Sequence, residues 1–246
     1  MIKPSSRDTV ANSSRTDARQ RDMLMKQTAR LVHSLLAAGV LAIGLPALLH
    51  AHFKLLEPAS WLVEGDRGDP QKLAPCGSAP TAAANQPAIP LSNVIGKAVG
   101  GSKLHLKVQE TIFHPGHYRV ALAVNSREEL PVDPVTVERT TERGPQSVWA
   151  VIQSPPQMPV IADGLFQHYT RPAPAAAGTT APPQVWEADV QLPNISCAKC
   201  TLQVIQFMAD HGKNPDGDYS YHHCAVVNIT ADTTKPVDTR WAAPRK

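Results

Sequence analysis

The sequence predicts an all-β protein, an antiparallel β-sandwich of the immunoglobulin or fibronectin-like kind with long loops. Several short segments alternate apolar and polar side chains with a period of two, as strands with one buried face do. The chain also contains 23 prolines, which interrupt long helices. After residue 51, no segment has a convincing helical period of 3.6 residues. Strands separated by turns and loops are therefore expected.

Residues 103 to 108 (KLHLKV) give the clearest strand pattern, with Leu104, Leu106 and Val108 on one face. Similar patterns, some of them apolar on both faces, predict five more strands at residues 118–124, 147–153, 185–192, 200–208 and 224–230. Residues 171 to 183 (RPAPAAAGTTAPP) are rich in proline and alanine and predict a surface loop or flexible insert.

The first 51 residues have the composition of a signal peptide. A basic region precedes an apolar run at residues 31 to 49, and Leu49-His50-Ala51 fits a signal-peptidase site. Met23 or Met25 is an alternative start that would leave a leader of ordinary length. A membrane anchor is disfavoured because Pro46 interrupts the run and no stop-transfer charge cluster follows it. We therefore predict export to a periplasm or to the outside of the cell, with no membrane attachment of the mature form.

The remainder of the chain is long enough for one sizeable domain, predicted at residues 52–232, followed by a flexible tail at 233–246. Of the 24 basic and 21 acidic residues, the leader holds seven and three, which leaves 17 and 18 and a net charge of −1. This near-neutral part has no cluster of Lys and Arg with interleaved aromatic residues, so no nucleic-acid partner is predicted. Nothing in the sequence indicates an oligomeric state.

Cleavage after Ala51 would make His52 the first residue of the mature protein. The α-amine and the ring Nδ1 of an N-terminal histidine can chelate one metal ion, and copper(II) favours such flat nitrogen sites. His114 and His117 flank a Pro-Gly turn in residues 113 to 118 (FHPGHY). If that turn lies beside the N-terminus, one of these two histidines would supply a third nitrogen ligand.

Four cysteines, an even number, suggest two disulfides in an exported chain, with three possible pairings. A zinc site is the alternative, because Cys197, Cys200, Cys224 and one histidine form a legitimate ligand set. An oxidising compartment favours the disulfides. His222 and His223 directly precede the strand predicted at residues 224–230, and in strand conformation they must face opposite sides.

Four motifs occur in an order that resembles the lytic polysaccharide monooxygenase-like copper proteins. They are the mature histidine followed by an aromatic residue, a His-x-Gly-x-aromatic turn, a Cys-x-x-Cys-x-Leu-Gln strand and a closing Tyr-x-x-Cys-Ala strand. Each motif alone is weak, but the ordered set is fairly specific and spans most of the mature chain.

The resemblance implies a copper-binding histidine brace, in which His52 gives its amine and Nδ1 and a second histidine gives one ring nitrogen. In the related motifs, the ligand stands two residues before the glycine of the turn. The resemblance therefore makes His114, two residues before Gly116, the expected second ligand, and His117 is the alternative. Tyr221 takes the position from which such families present a tyrosine to the axial face of copper. Tyr219 takes a position that is usually held by a hydrogen-bonding Gln or Glu. The resemblance also pairs Cys76 with Cys224 and Cys197 with Cys200.

The implied activity is oxidative cleavage of glycosidic bonds in a polysaccharide, with one copper ion and an external electron donor. Trp61 is the tryptophan closest in sequence to the brace and the candidate for stacking on substrate, with a place in the core or at its rim as the alternative. A copper-acquisition protein without polysaccharide oxidation is the alternative function. In such proteins an aspartate can join the brace, and Asp218 or Asp210 would take that part.

Overall fold

The computed structural model describes residues 52–78, 89–171, 173 and 182–241. The predicted leader, both alternative start methionines, most of the predicted insert at 171–183 and the last five residues lie outside the described part. Within that part the regular structure consists of ten strands and two short 3₁₀ turns, at Arg127–Glu129 and Thr239–Trp241.

The strands, in chain order, are β1 (His52–Glu57), β2 (Ile95–Val99), β3 (Lys103–Ile112), β4 (Gly116–Ala123), β5 (Thr136–Thr141), β6 (Gly144–Ala150), β7 (Val160–His168), β8 (Gln184–Gln191), β9 (Cys197–Met208) and β10 (Ser220–Thr230). They form a three-stranded sheet in the order β1-β3-β8, a five-stranded sheet in the order β2-β10-β9-β4-β7, and the hairpin β5-β6. Neighbouring strands are antiparallel except for β2 and β10. The prediction of an all-β sandwich is confirmed.

The core lies between the two larger sheets. Phe53 of β1 and Val108 of β3 pack in one cluster with Tyr118 of β4, Val204 of β9 and Val227 of β10, and all five side chains are fully buried. Each buried side chain of this size stabilises the fold by roughly 1.5–3 kcal/mol relative to exposure. The first and last strands therefore belong to the same core.

All six predicted strands are present, although most extend beyond the predicted bounds and β6 ends at Ala150, before the predicted end at residue 153. The strands β1, β2, β5 and β7 were not predicted. The sequence does not predict β2 and β5 because their side chains are largely exposed or only half-buried. Strands of this kind need no alternation of apolar and polar residues. In β1 the three buried residues are His52, Phe53 and Leu55, which is not an alternating pattern.

Most residues of the segment 233–241 are exposed, but the segment is attached to the sandwich at two points, whereas the sequence predicts a flexible tail there. Trp241 is buried in the main core cluster. The side-chain amide of Asn194 donates to the carbonyl oxygens of Asp232, Lys235 and Pro236 at 3.0–3.1 Å. One tryptophan and one asparagine thus anchor a segment whose polar composition alone indicates disorder.

Disulfides join Cys76 to Cys224 and Cys197 to Cys200, as the resemblance implied. No cysteine is left free. The alternative of a zinc site built from these thiols is therefore not supported, because zinc binds thiolates and not disulfide sulfurs.

Candidate metal centre

Strand pairing brings the start of β1 next to the turn that carries His114. His52 is the first residue of β1 and lies opposite Ile112 at the end of β3. The chain leaves β3 there and reaches His114 two residues later. His52 and His114 are both buried, at 2% and 7% exposed. Antiparallel register therefore places near each other two histidines that are 62 positions apart in the sequence.

The ring of His52 is oriented by a carboxylate. Its Nε2 lies 2.9 Å from Oδ2 of Asp69, and this hydrogen bond holds the pKa of Asp69 below its usual range. With Nε2–H as the donor, the proton is on Nε2 and Nδ1 keeps its lone pair. Metal-binding histidines commonly donate their other ring N–H to a carboxylate in this way. The tautomer is the one that a chelate of amine and Nδ1 requires.

The main chain next to His52 is held from two sides. The N–H of Phe53 donates to Oε1 of Gln71 at 3.0 Å, and the carbonyl oxygen of Phe53 accepts from Nε2 of His223 at 3.0 Å. His223 also contacts the Glu64 carboxyl, with Nδ1 and Oε1 3.1 Å apart. Burial lowers the pKa of His223 to about 4 and raises that of Glu64 to about 7. A neutral His223 donating through Nε2 can accept at Nδ1 the proton of Glu64.

The ring of His114 presents a buried nitrogen with no hydrogen-bond partner in the described structure, Nδ1. Burial above all, and then nearby His211, lowers the pKa of His114 to about 3, so the ring is neutral near pH 7. A neutral imidazole is the form that binds metals. A buried polar atom without a partner is costly, and ligation of a metal ion would remove that cost.

A buried glutamate fixes the turn that carries His114. Oε1 of Glu110 accepts the main-chain N–H of His114 at 2.9 Å and the amide N–H of Gln206 at 2.7 Å. Nε2 of His168 lies 3.2 Å from the same oxygen. Three contacts on one carboxylate oxygen anchor the turn to β7 and β9.

Tyr221 lies beside the same histidines. Its ring centre lies 5.6 Å from that of His52 and 5.9 Å from that of His211. The hydroxyl is buried and has no hydrogen-bond partner among the described residues, and burial raises its pKa above the usual range. His211 lies in turn 5.0 Å from His114, centre to centre. We call His52, His114, His211 and Tyr221 the histidine cluster.

His117 and Tyr219 lie elsewhere. His117 precedes the core residue Tyr118 in β4, so its side chain points to the other face of the sheet. There its Nε2 is 3.8 Å from Asp163 and its ring packs on Phe207, while burial lowers its pKa. Tyr219 packs in a cluster that also contains Phe207, and burial together with nearby Glu138 raises its pKa to about 12. The described contacts of both residues are outside the histidine cluster.

Asp210 and Asp218, the two candidate aspartate ligands, also have their described contacts elsewhere. Asp210 forms an exposed ion pair with Arg139 at 2.8 Å. The pKa of Asp218 is raised by burial and by Asp133 and Asp216. The carboxylate that does contact His52 is Asp69.

Trp61 belongs to the core and is not a surface platform. It is 6% exposed, its indole N–H donates to the carbonyl oxygen of Cys76 at 3.1 Å, and the Arg127 guanidinium lies 3.6 Å above its ring centre. Of the two expectations for this residue, a stacking site and a core position, the structure supports the second.

Sequence reasoning missed Asp69, Glu110, Gln206 and His211. The first lies in a loop between Gly68 and Pro70, and the last in a loop between Asp210 and Gly212. Neither loop has a period or a spacing that would relate it to His52. The His114 turn could be identified because its motif is local, whereas these contacts depend on the fold.

Among the described residues, no group of three or more His, Cys, Asp or Glu side chains is arranged to hold a metal ion. A brace needs only two imidazoles and a main-chain amine. The buried Nδ1 of His114 and the carboxylate on Nε2 of His52 fit such a group.

No helix in the described part is long and apolar enough to span a membrane. Comparisons with protein-family models, curated proteins and solved structures give no match.

Removal of the Asp69 carboxylate should weaken copper binding. We expect Asp69→Ala to lower copper affinity on the order of 10- to 100-fold, because the ring of His52 would lose the group that fixes its tautomer and orientation. Asp189→Ala is the matched control, since Asp189 contacts the exposed His105 at 3.2 Å. Competition with a chromophoric chelator measures both affinities. Equal affinity in the two variants would show that the Asp69 contact has no part in binding.

Proposed function

We propose that the mature chain, starting at His52, is an exported protein that binds one copper ion. The amine and Nδ1 of His52 and a ring nitrogen of His114 would hold the ion. One observation carries the proposal: the His114 ring, with its buried unpartnered nitrogen, shares a cluster with a His52 ring whose other nitrogen is committed to Asp69. Nitrogen donors of this kind suit copper.

The activity implied by the family resemblance is oxidative cleavage of glycosidic bonds. Bound copper would supply one-electron chemistry with O₂ or H₂O₂, using electrons from an external donor, to oxidise a C–H bond beside the glycosidic bond. The chain itself contributes rigidity, because Glu110 holds the His114 turn and Gln71 and His223 hold the main chain beside His52. Tyr221 places a buried ring and hydroxyl against His52, which excludes water from that side.

The two histidines of the Pro-Gly turn should differ in their effect on copper. We expect His114→Ala to remove the axial copper(II) EPR signal, with its nitrogen couplings, at one equivalent, and His117→Ala to preserve it. The reason is that His114 lies in the histidine cluster, whereas His117 contacts Asp163 on the other face of the sheet. The reverse result, a signal lost with His117→Ala and kept with His114→Ala, would contradict the assignment.

A second candidate function is copper acquisition without polysaccharide oxidation. The observation that favours it is the burial of Trp61 under Arg127, since the tryptophan closest in sequence to the site is not available to stack on a sugar ring. In this candidate function, the acidic residue beside the brace is Asp69, which contacts His52, and not Asp210 or Asp218.

One assay separates the two candidates. Copper-loaded protein with ascorbate is incubated with chitin, cellulose and xylan, and products are analysed by mass spectrometry. If the protein is a monooxygenase, we expect oxidised oligosaccharides with at least one substrate, and none with the His114→Ala variant. A copper-binding protein that gives no such products on any of the three would support acquisition.

A further inference from the structure

The chain that follows β7 lies beside the turn that carries His114. Strand β7 ends at His168, which pairs with Gly116 at the start of β4. The ring of His168 lies 5.5 Å from that of Phe113, centre to centre, and Phe113 directly precedes His114 in the chain. The residues at 169 to 171 therefore leave the sheet next to the His114 turn.

Arg171 is held over the ring of Phe113. Its guanidinium carbon lies 4.9 Å from the ring centre, inside the distance of about 6 Å at which a cation and an aromatic face attract each other. The charge of Arg171 also acts on His114. Burial and then His211 lower the pKa of that histidine most, and Arg171 makes a smaller contribution in the same direction. This cation therefore belongs to the surroundings of the candidate metal centre.

Arg171 has no carboxylate partner in the part of the chain that the structure describes. The residue is exposed, and none of the ion pairs among the described residues includes it. Two other exposed arginines differ, because Arg139 pairs with Asp210 at 2.8 Å and Arg240 pairs with Asp238 at 2.7 Å. A contact with the face of a ring uses none of the N–H donors of a guanidinium. The donors of Arg171 therefore remain available to a ligand.

An exposed tyrosine stands two residues before Arg171. Tyr169 is 55% exposed, whereas Trp61, the aromatic residue that the sequence indicates for stacking on substrate, is 6% exposed. An exposed aromatic ring offers a flat apolar face to the C–H side of a sugar ring, and the hydroxyl of tyrosine adds a hydrogen-bonding group. A cation and an aromatic ring thus follow each other in the chain beside the His114 turn.

We propose that Arg171 and Tyr169 form a binding site for an acidic polysaccharide, in which the guanidinium of Arg171 pairs with the carboxylate of a uronic acid residue. The inference rests on the proposed function, which supplies the polysaccharide, and it adds the chemical class of that polysaccharide. A guanidinium and a carboxylate are both planar, carry opposite charges and can form two parallel hydrogen bonds. A neutral sugar supplies hydrogen bonds alone.

A polyuronate carries one carboxylate on each of its sugars. When one sugar is bound at Arg171, its neighbours in the polymer lie beside the His114 turn. The site would therefore bring the glycosidic bonds of an acidic polymer to the histidine cluster, although Trp61 is not available there.

The test measures the binding of polygalacturonate to the metal-free protein that starts at His52, by isothermal titration calorimetry. We expect the affinity to fall as the salt concentration rises, because the contact is between exposed charges. Arg171→Gln should lower the affinity about 10-fold or more, since it removes a charged hydrogen-bonding partner. Arg171→Lys keeps the charge and loses the paired geometry, so its affinity should lie between those of the wild type and Arg171→Gln. Tyr169→Ala should also bind more weakly than the wild type.

Two kinds of control accompany these variants. Lys199→Gln removes one exposed positive charge near the start of β9, whereas Met208 at the end of that strand pairs with Gly116. This variant should bind polygalacturonate as the wild type does. Uncharged hydroxyethylcellulose has sugar rings without carboxylates, and polyglutamate has carboxylates without sugar rings. Both polymers should bind the wild type about 10-fold more weakly than polygalacturonate or worse.

The outcomes distinguish this inference from the proposed function. Equal affinities of Arg171→Gln and Lys199→Gln for polygalacturonate would overturn the site. Equal binding of hydroxyethylcellulose would overturn the carboxylate, and equal binding of polyglutamate would overturn the sugar. A wild-type protein that binds copper but not polygalacturonate would overturn the acidic site alone. One that binds polygalacturonate through Arg171 but binds no copper would overturn the metal centre alone. Thermal unfolding of each variant verifies that it is folded.

Discussion

A protein that retains Ala51 in front of His52 should bind copper more than about 100-fold more weakly than the processed protein. This loss of affinity is greater than the loss of about 10- to 100-fold expected when a residue that only contacts a ligand, such as Asp69, is removed. The retained residue converts the α-amine of His52 into an amide, which removes one nitrogen donor and opens the chelate ring. All side chains stay the same. The difference in copper affinity therefore reports on the α-amine of His52, because the contacts of the imidazoles do not change.

The measurement needs two preparations whose N-termini are verified by intact mass. One starts at His52 and the other at Ala51, and both are titrated with copper in competition with a chelator. A protein with one residue added after Lys246 is the matched control for chain length. Equal affinity of the His52 and Ala51 forms would exclude the brace. Secreted protein whose first residue is not His52 would contradict the predicted cleavage site.

Loss of the disulfide between Cys76 and Cys224 should have the largest effect on stability. The bond joins residues 148 positions apart, and in the chain-entropy model a loop of that length contributes about 4 to 5 kcal/mol. The total stability of a domain is typically about 5–15 kcal/mol. We expect the double variant Cys76→Ala with Cys224→Ala to be largely unfolded at 37 °C or to lose most of its resistance to urea.

The second disulfide provides the control. Cys197 and Cys200 are three positions apart, and the same model gives about 2 kcal/mol for so short a loop. Urea titrations of both double variants, monitored by tryptophan fluorescence, should therefore show a much smaller shift for Cys197→Ala with Cys200→Ala. Equal shifts would mean that loop closure does not govern the contribution of these bonds.

The parts of the fold that the sequence predicted are those with local periodicity. The strand at residues 103 to 108 alternates apolar and polar side chains because one face packs in the core, and β3 includes it. Strand β2 has no such signal, because it lies at an edge and its side chains are exposed or half-buried. Trp241 was missed because one buried residue in a polar segment has no period.

The candidate site also contains residues that local sequence patterns identify and residues that they do not. His52 and His114 could be identified because a cleavage site and a turn motif are local features of the chain. Asp69 and His211 join them only through tertiary structure: Asp69 through a loop that folds back onto β1, and His211 through the hydrogen bonds of its loop to Ser147. Contacts set by the packing of distant loops have no counterpart in spacing.

The two hydrogen bonds at Phe53 order the start of the mature chain. Chain termini are usually loosely ordered, yet here hydrogen bonds from the protein's own Gln71 and His223 hold the residue next to the new N-terminus. The entropy of ordering that terminus is therefore lost on folding and not on binding. Copper should enter an already formed site, so that amide resonances beyond the immediate surroundings of the ion keep their positions on loading with diamagnetic copper(I).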